Sequence, residues 1–266
     1  MPLDRALAFL DRARNPDGSL GYLPSSPGQP EPTLLAVAAG VAPPVQWLSD
    51  AELGWGALIA PAVLGDRPET EAIARRAIDR ILSLQGEQVE DASGVFGFDP
   101  TGVVAWGWVE GTAPWVEPTC YALISLKRTG HGDHARVRQG EAMLLDRQCA
   151  DGGWNYGNPA VLGAELESYL PPTAWAAMAL PPSPAVDRAL ARLLDAQVQA
   201  STTTLALAIL ARAAHGLGAG PLPPLLLARQ DADGGFGGRC DRTALAACAL
   251  GVLDGGPHPF STGGAR

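Results

Sequence analysis

Five segments of the chain are apolar on every face, and they align on a threonine: PTLLAVAAG at Thr33, PTCYALISL at Thr119, PTAWAAMAL at Thr173, TTLALAIL at Thr203 and RTALAACAL at Thr243. Alanine recurs three positions on in each (Ala36, Ala122, Ala176, Ala206, Ala246). Leucine recurs seven on in four of them (Leu126, Leu180, Leu210, Leu250). A helix with no polar face is a helix covered on all sides. A threonine or acid at the start, often with proline in the first turn, suits the free N–H groups and positive end of a helix N-terminus.

Segments of a second kind lie between them. In AIARRAIDRILSLQ, the residues Ile73, Ala77, Ile81 and Leu84 form a stripe at helical spacing, while Arg75, Arg76, Asp79 and Arg80 fill the rest. LDRALAFLDRAR near Leu3, RVRQGEAMLLDRQ ending at Gln148, PAVDRALARLLDAQ ending at Gln197 and PLPPLLLARQ ending at Gln230 read the same way. PPVQWLSDAELGWGALIAPAV supplies a weaker sixth pair. Helices buried on all sides, alternating with half-apolar ones, are accommodated by two concentric rings, the apolar set inside. Six pairs in 266 residues fall within the period of helical-hairpin repeats. The expectation is an all-α chain, a closed α/α toroid forming one domain over residues 1–266.

The turns repeat too. CADGGWNYG (Cys149–Gly157) and DADGGFGG (Asp231–Gly238) each place Asp-Gly-Gly-aromatic three residues after a glutamine, and RNPDGSLGY is a degenerate copy with Leu20 at the aromatic position. Gly152 and Gly234 suit the left-handed conformation that ends a helix, with Trp154 or Phe236 pinning the turn onto the next repeat.

Composition narrows the partners. A formal charge of -9 disfavours nucleic acid, whose affinity comes from concentrated Lys and Arg. No run approaches the roughly 20 apolar residues of a membrane span, and the N-terminus has no basic leader followed by a long apolar run, so a cytoplasmic location is expected. Cys120, Cys149, Cys240 and Cys248 lack CxxC spacing and read as buried free thiols.

The glutamine- and aromatic-bearing turns, with WVEPTCYALISL and LLDRQCADGGWNYG, resemble the repeats of squalene–hopene cyclases and protein prenyltransferase β-subunits, in particular bacterial proteins grouped with them. The resemblance implies a toroid with a greasy central cavity. In the cyclases a DxDD motif precedes a Thr-Ala helix start, and its middle Asp protonates the substrate alkene. Here RCDRTA keeps Asp241 and Thr243 but has Arg239 and Arg242 at the flanking positions, and guanidiniums favour the carboxylate over the acid. A helix-start Asp241 paired with Arg242 is the plainer reading. In the prenyltransferases GGFxGRC leads into two zinc ligands; GGFGGRC is present, but Leu245 and Ala247 occupy those ligand positions. No metal and no cofactor are expected.

Glu31 and Glu117 share the slot of Asp241, two residues before the aligned threonine, so all three acids belong to one rim of the inner ring. Glu117 lies among Trp106, Trp108 and Trp115, with Tyr121 one turn on and Trp175 in the next apolar helix. An apolar surround raises a carboxyl's pKa, and aromatic faces stabilise a cation. The expected activity is acid-initiated carbocation chemistry on an isoprenoid-like hydrophobic substrate, with Glu117 and then Asp241 as acids, and Glu31, Trp106, Trp108, Trp115, Trp175 and Tyr121 binding the substrate. Two alternatives stay open: a non-catalytic binding or scaffold module on the same toroid, and a carbohydrate-active toroid using paired carboxylates and stacking tryptophans.

Overall fold

The computed structural model describes residues 1–84, 104–195 and 200–263. The helices are α1 (Pro2–Arg12), α2 (Pro30–Ala38), α3 (Val45–Asp50), a 3₁₀ helix (Gly54–Leu58) running into α4 (Ala60–Leu64), α5 (Glu71–Ser83), α6 (Val116–Arg128), α7 (Ala135–Asp146), α8 (Leu170–Ala179), α9 (Pro184–Arg192), α10 (Thr202–Ala214), α11 (Leu222–Leu227) and α12 (Cys240–Leu253). Two-residue strands β1 (Ala160–Val161) and β2 (Ala164–Glu165) pair antiparallel in the loop before α8. No helix among the described residues is long and apolar enough to cross a membrane.

The even-numbered helices close into a ring. α2 packs on α4, α4 on α6, α6 on α8, α8 on α10, α10 on α12, and α12 again on α2. Burial explains the assignment, since every residue from Pro172 to Ala179 and from Thr204 to Ala211 is buried. The odd-numbered helices bury only a stripe, such as Ile73, Ala74, Ala77 and Ile81 on α5. Among them α5, α7, α9 and α11 each pack on the inner helix that precedes them in sequence, and α1 packs on α12. The toroid is therefore the expected one, the weak sixth pair being α3 with the 3₁₀ helix and α4. The glutamines expected to end two outer helices, Gln85 and Gln197, lie outside the described residues.

The aligned threonines hold the preceding turn to the inner helix. Thr33 Oγ1 accepts from the Leu20 amide at 2.9 Å and donates to the Leu20 carbonyl at 3.1 Å. Thr119 does the same to Trp106, and Thr173 to Trp154. Thr243 accepts from the Phe236 amide at 2.9 Å. Each hydroxyl satisfies a backbone amide that would otherwise be buried unpaired, which explains why a polar residue survives in an all-apolar helix. In α10 the alignment needs correction. The other four inner helices with an aligned threonine begin three residues before it (Pro30, Val116, Leu170, Cys240), whereas α10 begins at Thr202. Leu205 takes the structural place, two residues beyond Thr203.

Gly152 and Gly234 have φ of +87° and +94°. The glutamine before each turn spans to the next outer helix: Gln148 Nε2 donates to Gly152 O and Ala185 O, and Gln230 Nε2 to Gly234 O and Pro2 O. Pro2 opens α1 as Pro184, one residue before Ala185, opens α9, so the last turn closes onto the first helix with the same bonds as an internal one. All four cysteines are buried free thiols, and burial pushes Cys248 up to about 12.

Candidate active site

The inner ring encloses a cavity of about 530 Å³. α2 contributes Glu31 and Leu35, α6 Glu117 and Tyr121, α8 Pro171 and Trp175, and α10 Thr203 and Leu207. Each pair is spaced i, i+4, and Leu245 of α12 lies four residues after Asp241. That spacing places side chains one above the other on a helix face. The outer helices return the chain each time, so the inner helices run parallel and their first turns form one rim, with a second layer of lining residues about 6 Å deeper. Trp55 and Ile59, before α4, and Trp108 and Val109, before α6, complete the wall.

Four aromatic rings pack edge to face around this space. Trp55 and Trp108 have centroids 5.3 Å apart, Trp108 and Tyr121 5.9 Å, and Tyr121 and Trp175 4.8 Å. Trp175 in turn meets Phe260 at 5.1 Å. Phe260 is fully buried and belongs to a C-terminal strap over the C-terminal ends of the inner helices. Arg128 Nη1 donates to the carbonyls of His258 and Ser261, and His258 Nε2 lies 2.8 Å from Leu210 O. Through Phe260 the strap backs Trp175, a lining residue of the layer below the acidic rim.

At that rim Glu117 is half-buried and makes no hydrogen bond or ion pair with the described residues. Burial, and secondarily the charge of Glu31, raise its pKa to about 7. Its place in the first turn of α6 favours the carboxylate by only about 0.3–1 kcal/mol, too little to reverse that shift at 1.36 kcal/mol per pKa unit. At neutral pH Glu117 thus retains its proton for a substantial part of the time. Burial also raises Glu31, against a hydrogen bond from the Tyr22 hydroxyl that favours its ionised form. Asp241 is held by Arg239, Nε to Oδ1 at 3.0 Å and Nη2 to Oδ2 at 3.1 Å, and the guanidinium stacks 5.3 Å over the Tyr22 ring.

No protein-family model matches the chain, and no curated protein matches it significantly. Solved structures do. A variant of the type II terpene cyclase MstE from Scytonema, in complex with its product merosterolic acid A, is 17% identical with a TM-score of 0.50, over 98% of this chain and 75% of that one. The chain carries the type II terpene cyclase fold. A protein from Actinoplanes is 18% identical with the same TM-score and coverage. Another MstE variant, bound to its substrate geranylgeranyl dihydroxybenzoate, is 18% identical with a TM-score of 0.45 over 88% of this chain. The chain spans 65% of that structure's length.

On this terpene cyclase fold, Glu31, Glu117, Tyr121, Trp108 and Trp175 are brought together around the cavity. Three predicted residues are placed elsewhere. Trp106 is fully buried behind the wall, its Nε1 donating to Ile81 O at 2.9 Å and its ring 4.4 Å beneath the Arg136 guanidinium. It is the counterpart of Trp154, whose Nε1 donates to Leu144 O, and so it pins a turn. Trp115, 39% exposed, lies outside the lining and packs toward Gly157. Asp241 is also outside the lining, turned to Arg239 and not to the exposed Arg242, because the Nε/Nη2 edge of Arg239 meets both carboxylate oxygens. Trp55 is the aromatic lining residue that sequence reading missed. Its only signal was the weak pair GWGALIAPAV, where a 3₁₀ helix breaks the helical spacing.

Proposed function

We propose that this chain acts as a terpene cyclase-like enzyme that transforms an isoprenoid within the central cavity, with Glu117 as the general acid. The observation that carries this reading is a half-buried, unpaired carboxyl, raised to about 7, at the rim of an aromatic-lined cavity. Neutral Glu117 gives its proton to one carbon of an alkene, whose π electrons form the new C–H bond and leave the cation on the adjacent, more substituted carbon. The faces of Trp55, Trp108, Tyr121 and Trp175 stabilise that cation, and subsequent ring positions, through their quadrupoles. A proton returned to the Glu117 or Glu31 carboxylate ends the sequence, so substrate and product are isomers and no co-reactant is needed.

The lining contains carboxyls and no Lys, Arg or His among the described residues, and Arg239 is engaged by Asp241. This favours an isoprenoid with a neutral head over a diphosphate. Terpene cyclases with bound prenylated substrate and product on this fold accord with the reading. The proposal treats residues 1–266 as one catalytic toroid, bacterial and cytoplasmic. The test is incubation with squalene, geranylgeraniol, a prenylated phenol and geranylgeranyl diphosphate, followed by mass spectrometry. An isomer of unchanged mass from a neutral-headed substrate, lost in Glu117→Gln, supports it; no product from any of the four rejects it. The Asp241–Arg239 ion pair favours a second reading, a non-catalytic isoprenoid-binding module, for which wild type binds these compounds without turnover.

A further inference from the structure

A second cavity of about 830 Å³ lies at the opposite end of the ring, lined in part by Met178, Ala213, Ser261 and Thr262. Trp175 lines the first cavity and Met178 the second, three residues apart on α8 and so about 4.5 Å along its axis. The Phe260 ring abuts Trp175 of the first lining, and the next two residues, Ser261 and Thr262, line the second. Phe260 belongs to neither inner nor outer ring. It is carried by the strap, where its amide donates to His258 Nδ1 at 3.1 Å and Thr262 Oγ1 donates to Met178 O at 3.4 Å.

We propose that Phe260 is a specificity-determining residue that sets the length of chain the cavity accepts. The inference rests on the isoprenoid reading of the cavity. With the reacting alkene at the Glu117 rim, a chain can extend only toward Trp175 and Phe260. Each buried carbon adds affinity until these rings are reached; beyond them, extra carbons must displace close-packed side chains, which costs more than it gains. Opening the Phe260 position joins the first cavity to the larger space beneath, and a longer chain then finds apolar lining in Met178, Leu180 and Ala213.

The test is a chain-length series of neutral alcohols, geraniol, farnesol, geranylgeraniol and the next prenylogue, titrated against the full chain by calorimetry, with ligand-induced thermal shift as a parallel readout. Wild type is expected to gain affinity with length up to a limit and then lose it. Phe260→Ala should move that limit to a longer member and tighten the first excluded chain at least tenfold, with Phe260→Leu shifting it less. Phe260→Trp should move it the other way, a change that mere destabilisation would not produce and that remains measurable if the alanine variant fails to fold. An unchanged limit in Phe260→Leu and Phe260→Trp overturns the length role alone. Failure of wild type to bind any member overturns the isoprenoid reading and this inference with it.

Discussion

Glu31 and Glu117 face one cavity from different inner helices, and the charge of Glu31 helps to hold the proton of Glu117. Removing that charge in Glu31→Gln should lower the Glu117 pKa. Because the proton donor is lost as pH rises through about 7, the fall in turnover on the alkaline side should move to lower pH in the variant. Carbon NMR titration of the Glu117 carboxyl checks the shift without relying on activity; an unmoved midpoint would separate the two carboxyls.

Glu117 also makes stability depend on pH. Its folded pKa of about 7 stands above the ~4.3 of an unfolded chain, so folding favours the protonated form. Its contribution to stability is highest below ~4.3, falls as pH rises toward about 7 and stays level above it, a loss of roughly 4 kcal/mol. Glu117→Gln carries no titration, so its advantage over wild type should be absent at pH 4 and near the full amount at pH 8. Urea unfolding at both pH values measures it.

The two turn glycines should respond unequally. A Cβ at Gly234 would sit 2.4 Å from the Arg5 carbonyl oxygen, a backbone atom, whereas at Gly152 it would meet the Arg188 side chain at 2.9 Å. Both positions have positive φ, which alone costs about 1–3 kcal/mol for a residue other than glycine. Gly234→Val should therefore cost more than Gly152→Val, and both more than that backbone penalty's lower bound, in denaturant melts.

Thr173 and Thr203 offer a matched pair. Thr173→Val leaves the buried Trp154 amide without its 2.8 Å acceptor, at about 1–3 kcal/mol. Thr203 lines the cavity, so Thr203→Val should change stability by less than about 0.5 kcal/mol. Equal losses would argue against the two-residue shift in α10.

That shift marks where the sequence became ambiguous. Thr33, Thr119, Thr173 and Thr243 were legible because a buried hydroxyl interrupts an apolar helix at a fixed place in each repeat. In α10 the run Thr202–Thr204 offers three hydroxyls and Leu205 none, so alignment by residue type misleads. The acidic rim was legible for a similar reason, Glu31 and Glu117 occupying one register. Tryptophan orientation was not. Trp106 and Trp108 are two residues apart in a loop, and only the Trp106 hydrogen bond to Ile81 O decides that one pins a turn while the other faces the cavity. The partner of Asp241 was misread as Arg242, since Arg239 and Arg242 both lie within reach along the chain and only the structure shows the bonds to Arg239.

The seam between α1 and α12 has a cost in time. Arg5 bonds the Asp231 carbonyl across 226 residues, so α1 waits for the turn before α12 to be synthesised before its buried face is covered. At roughly 5–20 residues per second of translation that wait is roughly 10–50 s, during which Ala6, Phe9 and Leu10 stay open to solvent or to a chaperone. An open solenoid would have let α1 settle early; a closed ring makes its fate depend on α12.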